Sequence, residues 1–367
     1  MHLMDNEQYR KLNESYDRRL IYHVGQSCGF FVELNYMLDA MLYALAHGRQ
    51  FQIYSEDANF GTGRGWTEYF LPFCIEVHES LHRRHNFHRP PTWRHILHCA
   101  LTERRPQLIA WRMKLAMLTL SGHATAYMAY GRHVMLGQDV PAQHEAHYHV
   151  AELNIDGDYY HAYSQLAQMI WHFQPHIIHL QSVAMQSLNM PPRYAGIHIR
   201  GGDKATEALL IDGCTMVERL ATCDGDNIFV LTDDIRLLDD VRRNYPSLHF
   251  FSLCQPTDTG YNHQSFCHSD PHTQQAAITR LLLSVDILLR SHTFVGSITT
   301  GPSVFIMKVH HNDHTTKAID CPTTLLPSAL CQAIDIRSEI SRQTMCCAQI
   351  DNMTSTAYRQ YNKKSRR

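Results

Sequence analysis

Apolar residues fall along the chain in two alternating rhythms. Short apolar runs read as buried strands, and longer stretches with an apolar residue every three or four positions read as helices. LIYHV (20–24) is the first predicted strand. It passes through a small loop, GQSCGFF, into ELNYMLDAMLYALAHG. There Leu34, Met37, Leu38, Met41, Leu42 and Leu45 keep helical spacing, and Gly48 marks the stop. FQIY (51–54) is the next strand, which completes a strand-loop-helix-strand unit of the kind that builds parallel sheets.

Residues 55–150 break the rhythm with Gly, Pro, His and Arg clusters, and GTGRGW (61–66) reads as loop. Irregular segments and helices are expected there. A helical pattern then runs from Tyr160 to Phe173, Pro175 interrupts it, and a second helix is predicted to about Ser187. Beyond Pro191-Pro192 the pattern becomes regular. AGIHIR is a strand and ATEALLIDGCTMVERLA is helical in part. NIFVLT (227–232) is a strand, DIRLLDDVRRNY a helix and LHFFSL (248–253) a strand. QQAAITRLLLSVDILLRSH (274–292) is an amphipathic helix, TFVGS a strand and GPSVFIMKV a helix. This order predicts a doubly wound second half. The expected fold is α/β, with two facing Rossmann-like domains at 1–174 and 175–345 and a tail at 346–367.

Composition narrows the function classes. Hydrophobic residues make up 44% and charged residues 19%, a foldable mix. The net charge of -2 gives no global field to draw nucleic acid or a membrane surface. No apolar stretch reaches the roughly 18 residues of a membrane span. The polar N-terminus lacks a signal-peptide core, so the sequence as it stands suits the cytoplasm, or the Golgi or ER lumen if an anchor precedes it. Eleven cysteines without a CxxC pair do not decide the compartment. Histidine is frequent, at 27, but HEAHYH (144–149) is not HExxH, and no metal site is expected. Asp156-Gly157-Asp158 and Asp224-Gly225-Asp226 look like turns. There is no Walker loop and no GxSxG elbow.

Candidate chemistry gathers where strands of the second half end. His198, Arg200, Asp203 and Lys204 follow the first, with Glu207 a few residues on. Thr232, Asp233 and Asp234 follow the second, and SITTG (297–301) opens a helix after the third. Arg200 offers a planar fork that suits phosphate, glycines beside it admit a ligand, and a helix N-terminus favours an anion. The same residues also fit a salt bridge among Arg200, Asp203 and Lys204, and a plain N-cap by Thr299 or Thr300. Asp286 sits on the rim of an apolar helical stripe, where an acid needs a partner. The paired donors of a guanine base would serve, as would a neighbouring loop.

Together these segments resemble the α-1,6-fucosyltransferases, of both the N-glycan core type and the rhizobial nodulation type, and more loosely the protein O-fucosyltransferases. AGIHIRGGDKATEA, LIYHVGQSCGFFVELNYML, IFVLTDD and SVDILLRSHTFVGSITTGPS carry the likeness, with weaker echoes in GWTEYFLPF (65–73) and GYNHQSF (260–266). The resemblance implies a GT-B-like architecture with the donor site in the C-terminal domain. It implies an inverting, metal-independent transfer of fucose from GDP-fucose to a glycan or glycoprotein, with no cofactor. By position it implies that His198 and Asp286 read guanine, and that Arg200, assisted by Lys204, holds the β-phosphate. Asp203, Thr232, Asp233 and Asp234 would line the nucleotide site. Thr299 and Thr300 would touch the pyrophosphate, Gly29 and Phe30 would close over the donor, and Glu207 would be the base. A protein acceptor, another nucleotide sugar, or an inactive binding protein on the same fold are the alternatives. The chain departs from the family pattern at Gly201, where a second arginine is expected. It departs also at Phe31 and Gly301, which replace a glycine and a glutamine, and at Glu207, displaced by one residue.

Overall fold

The computed structural model describes residues 6–24, 29–61, 63–84, 127–129, 132–135, 138–140, 147–203, 210–220, 226–311 and 316–321. The first sheet is built on β1 (Arg18–His23), β2 (Arg49–Tyr54), β3 (Ile75–Glu76) and β4 (Tyr127–Ala129), which pair in parallel. β5 (Arg132–Met135) and β6 (Gln138–Val140) extend it antiparallel, giving the order β3-β2-β1-β4-β5-β6. Helix α1 (Asn6–Glu14) precedes β1, α2 (Phe30–Ala46) joins β1 to β2, and α3 (Ser80–Arg84) follows β3. Gly48, placed as the stop of α2, has φ +56°, a conformation glycine adopts without strain.

A hairpin of β7 (Tyr148–Val150) and β8 (Ile155–Gly157) leads into α4 (Tyr159–Ile170) and α5 (Pro175–Leu188). Pro175 does not break a helix. It occupies the first turn of α5, where its missing N–H costs nothing.

The second sheet is wholly parallel: β9 (Ala195–Ile199), β10 (Asn227–Thr232), β11 (His249–Phe251), β12 (Thr293–Gly296) and β13 (Thr316–Ala318). Its helices are α6 (Gly213–Leu220), α7 (Ile235–Asn244), α8 (His263–His268), α9 (Pro271–Leu289) and α10 (Gly301–Val309). The doubly wound half follows the predicted order, with two elements the sequence rhythm does not predict: α8, which begins within GYNHQSF, a stretch with no helical period, and the short strand β13.

Strand alternation divides the core. Ala195, Ile197, Ile199, Ile228, Val230 and Val295 pack with α6 and α7. Their neighbours Phe229, Leu231 and Phe294 face the other way, into a larger cluster that takes in α9, α10, α2 and α4. One apolar core therefore runs through both halves. Its hinge is aromatic: Trp171 stands 5.1 Å from Phe305 and 6.0 Å from Phe31, centroid to centroid. Among the described residues no helix is long and apolar enough to cross a membrane.

Candidate functional site

The strand order β11-β10-β9-β12-β13 reverses its winding between β9 and β12. In open α/β sheets the crevice beyond the strands' carboxyl ends at such a reversal is where ligands bind. Arg200 follows β9, Asp233 follows β10, and Ser297 to Thr300 follow β12, so three adjacent strands deliver to one edge.

Arg200 is held on several sides. Its Nη2 donates to Asp203 Oδ1 at 2.9 Å, and its Nη1 pairs closely with Asp233 Oδ2. Its guanidinium lies 5.0 Å from the centroid of the Tyr261 ring. Asp233 is the hub. It also accepts the Gly201 N–H at 2.7 Å and the Tyr261 N–H at 2.8 Å. The turn after β9 and the 260–263 loop then lock together: Asp203 N–H donates to the Tyr261 carbonyl at 2.9 Å, and His263 N–H to Asp203 Oδ2 at 2.7 Å. Gly202 has φ +60°, and a Cβ there would lie 2.1 Å from the Tyr261 oxygen, so only glycine permits this approach. The salt bridge left open by the sequence is thus present between Arg200 and Asp203, with Asp233 as a second anion.

At Gly201 an arginine would not fit without movement. A Cβ there would meet Leu237 at 3.1 Å and Asp233 at 3.3 Å. The departures at Phe31 and Gly301 also fit each other. A Cβ on Gly301 would lie 3.2 Å from the Phe31 Cβ and 3.1 Å from the Val32 nitrogen. The N-termini of α2 and α10, one from each half, therefore abut. Asn35 bridges them by donating to the carbonyls of Phe31, at 2.5 Å, and Gly301, at 3.4 Å. Two positive helix-dipole ends meet at this point.

Thr300 takes the N-cap position of α10, but its hydroxyl makes no capping bond. It points instead to His198 Nδ1, at 3.3 Å, and to the Ser297 carbonyl, at 3.2 Å. Thr299 bonds to the Ser297 hydroxyl at 2.6 Å, and Asp320 fixes that hydroxyl, also at 2.6 Å. Burial pushes the Asp320 carboxyl above its usual range, against the bonds from Ser297 and Ile298. His198 is buried, with Nδ1 2.8 Å from the Ser303 hydroxyl. Burial and then the charge of Arg200 push its imidazole down to about 3, so the ring is neutral at physiological pH.

Several residues that the resemblance singled out are occupied elsewhere. Asp286 is buried, and its oxygens are filled from within the protein. Trp171 Nε1 donates to Oδ1 at 3.0 Å, Arg290 pairs with Oδ2 at 2.7 Å, and Gln181 also donates to Oδ2. No two-point guanine contact is open while these partners stay. Burial raises its carboxyl, and Arg290 foremost among its partners opposes the rise. Phe30 is buried against Phe60, Trp66 and Phe70, because the first turn of α2 points inward. Gly29 is the N-cap of α2, with open space where its Cβ would be. Asp234 caps α7 through Arg236 N–H at 3.0 Å, and Thr232 Oγ1 accepts the Asp234 N–H at 3.2 Å. Asp156 lies in β8 beside His147, at 2.8 Å, and Asp158 caps α4, so this triplet is not a free turn. Lys204 and Glu207 lie outside the described residues.

Sequence reasoning missed Tyr261 and His263. Their segment carries only a weak echo and no period, and the signal that could have found them was Gly260, which has φ +106° against Gly202.

No family model matches the chain, and no curated protein sequence matches it. Solved structures similar to it include fucosyltransferase NodZ from Bradyrhizobium, at 15% identity, covering 80% of this chain and 92% of that one, with TM-score 0.47. A mutant of Arabidopsis thaliana FUT1 in complex with GDP is 9% identical over 85% of this chain and 72% of that one, with TM-score 0.48. The apo form of POFUT1 is 10% identical over 82% and 97%, with TM-score 0.44.

Proposed function

We propose that the chain is an inverting, metal-independent glycosyltransferase that moves fucose from GDP-fucose to a glycan hydroxyl. The observation that carries this reading is the placement of an immobilised Arg200 across the winding reversal from the N-terminus of α10, which Thr300 leaves without a side-chain cap. A nucleoside diphosphate leaves with growing negative charge. A fixed cation and a helix dipole at that point stabilise the transition state more than the ground state. Together they can take the part a divalent ion plays elsewhere. The choice of GDP and fucose rests on the sequence resemblance, since Asp286 is already engaged.

A second reading is a catalytically inactive sugar-nucleotide or glycan-binding protein. It is favoured by the two carboxylates that already hold Arg200 and by the indole on Asp286. One experiment separates them: a donor screen of GDP-fucose, GDP-mannose and UDP-sugars, with binding and hydrolysis both measured, with and without EDTA. The first reading expects GDP-fucose hydrolysis that survives EDTA and falls by about 10²–10³-fold in Arg200→Ala. Binding without turnover supports the second. Equal competition by GDP and ADP would sink the guanine assignment.

A further inference from the structure

The described carboxylates around Arg200 are all committed to donors. Asp203 holds Arg200 and the His263 N–H; Asp233 holds Arg200 and two backbone N–H groups. Asp234 holds Arg236, and Asp258 holds the Gln255 N–H at 2.8 Å and Arg280 at 3.2 Å. The imidazole of His263 stands beside them with a different commitment. Its Nδ1 lies 3.0 Å from the Tyr261 hydroxyl, on the residue whose ring packs against Arg200. Among the described residues its Nε2 meets the thiol of Cys267 at 3.5 Å, an exposed side chain and a weak partner. Helix α8 starts at His263, whose N–H is held by Asp203 at the Arg200 edge, and runs from there to the first half. Phe266 is buried in the shared core, and the Cys267 thiol meets the side chain of Asn59. The His263 imidazole thus sits at the Arg200 end of α8, joined through the Tyr261 hydroxyl to the ring that packs against the guanidinium.

We propose that His263 is the proton acceptor of the transfer, an inference that rests on the functional reading above. With Nδ1–H donating to the Tyr261 hydroxyl oxygen, Nε2 keeps its lone pair. The acceptor oxygen bonds to the anomeric carbon as that carbon's bond to the β-phosphate oxygen breaks. The electron pair leaves with GDP beside Arg200, and the acceptor's proton passes to Nε2. With water as acceptor the products are free fucose and GDP, and no other reactant is needed.

The test compares the parent, His263→Gln and Arg200→Ala by calorimetric GDP binding and by GDP-fucose turnover. His263→Gln should bind GDP within about twofold of the parent yet turn over about 10²–10⁴-fold more slowly. Arg200→Ala should lose binding and turnover together. The proposal is overturned if His263→Gln turns over at the parent rate. It is overturned too if GDP affinity falls in step with turnover, because His263 then only positions the loop. A parent that neither binds GDP nor hydrolyses GDP-fucose removes the functional reading itself, and this inference with it.

Discussion

Trp171 donates its indole N–H to Asp286 Oδ1 at 3.0 Å, tying the end of α4 to the interior of α9. Both residues are buried, and Trp171 is wedged among Phe31, Phe70, Phe173 and Phe305. A buried carboxylate that loses a donor bears the cost of desolvation. Trp171→Phe keeps most of the ring packing and removes the donor, so it should cost about 1–3 kcal/mol in denaturant unfolding. GDP affinity should stay unchanged. A variant of parental stability with altered GDP affinity would instead make Asp286 a ligand contact.

Asp233 should matter to turnover almost as much as Arg200, although it need not touch a donor. Its carboxylate fixes the guanidinium and two loops at once. Asp233→Ala removes all three and should slow donor hydrolysis by about 10²-fold or more. Asp233→Asn keeps one oxygen acceptor and should fall between. Steady-state rates at saturating donor decide it, and a parental rate in Asp233→Ala would detach Arg200 from the chemistry.

The same residues show how far the sequence can be read. The stripe of α9 and the alternation of β9 are local periods, set by neighbours along the chain, and they placed Arg200, Asp233 and the Ser297–Thr300 loop on one edge. The fate of Asp286 was not legible, because Trp171 and Gln181 are 115 and 105 residues away in sequence. Arg290, four residues on, was a local partner, but it did not tell a guanine-reading acid from one satisfied by an indole. Tyr261 and His263 were passed over for a related reason: their loop is ordered by Asp203 and Asp233, not by its own pattern.

His198 gives a pH prediction. Its folded value is pushed down to about 3, while an unfolded chain protonates histidine near about 6.5. Protonation therefore favours the unfolded state. The stability that comes with the neutral buried ring is present above the unfolded value and is lost as pH falls from there toward the folded one. His198→Gln should be less acid-sensitive than the parent by up to about 1.4 kcal/mol per pH unit in that window. Urea unfolding of both proteins at neutral pH and near about pH 5 measures the difference. Equal slopes would mean that the native ring takes up protons as readily as the unfolded one.

Lys308 predicts that the two halves unfold as one. It is fully buried in α10, yet its ammonium donates to the Tyr159 hydroxyl at 2.7 Å and lies 4.9 Å from the centroid of the Tyr163 ring. Tyr159 in turn donates its O–H to Asp39 Oδ1 at 2.5 Å, so one hydroxyl links α10 of the second half through α4 to α2 of the first. An ammonium and a carboxylate buried in this way need that shared partner, because neither has water to fall back on. The aromatic contact of Trp171 with Phe31 and Phe305 joins the same helices through apolar surface. Separating the halves would expose both sets together, so the parent should show a single calorimetric transition. Tyr159→Phe removes the link and leaves the rings in place. It should lower stability by about 1–3 kcal/mol while the transition stays single, since the apolar core still spans both halves. Two resolved transitions in the parent would show instead that each half carries its own core, and that the Arg200 edge and α2 are brought together only by docking.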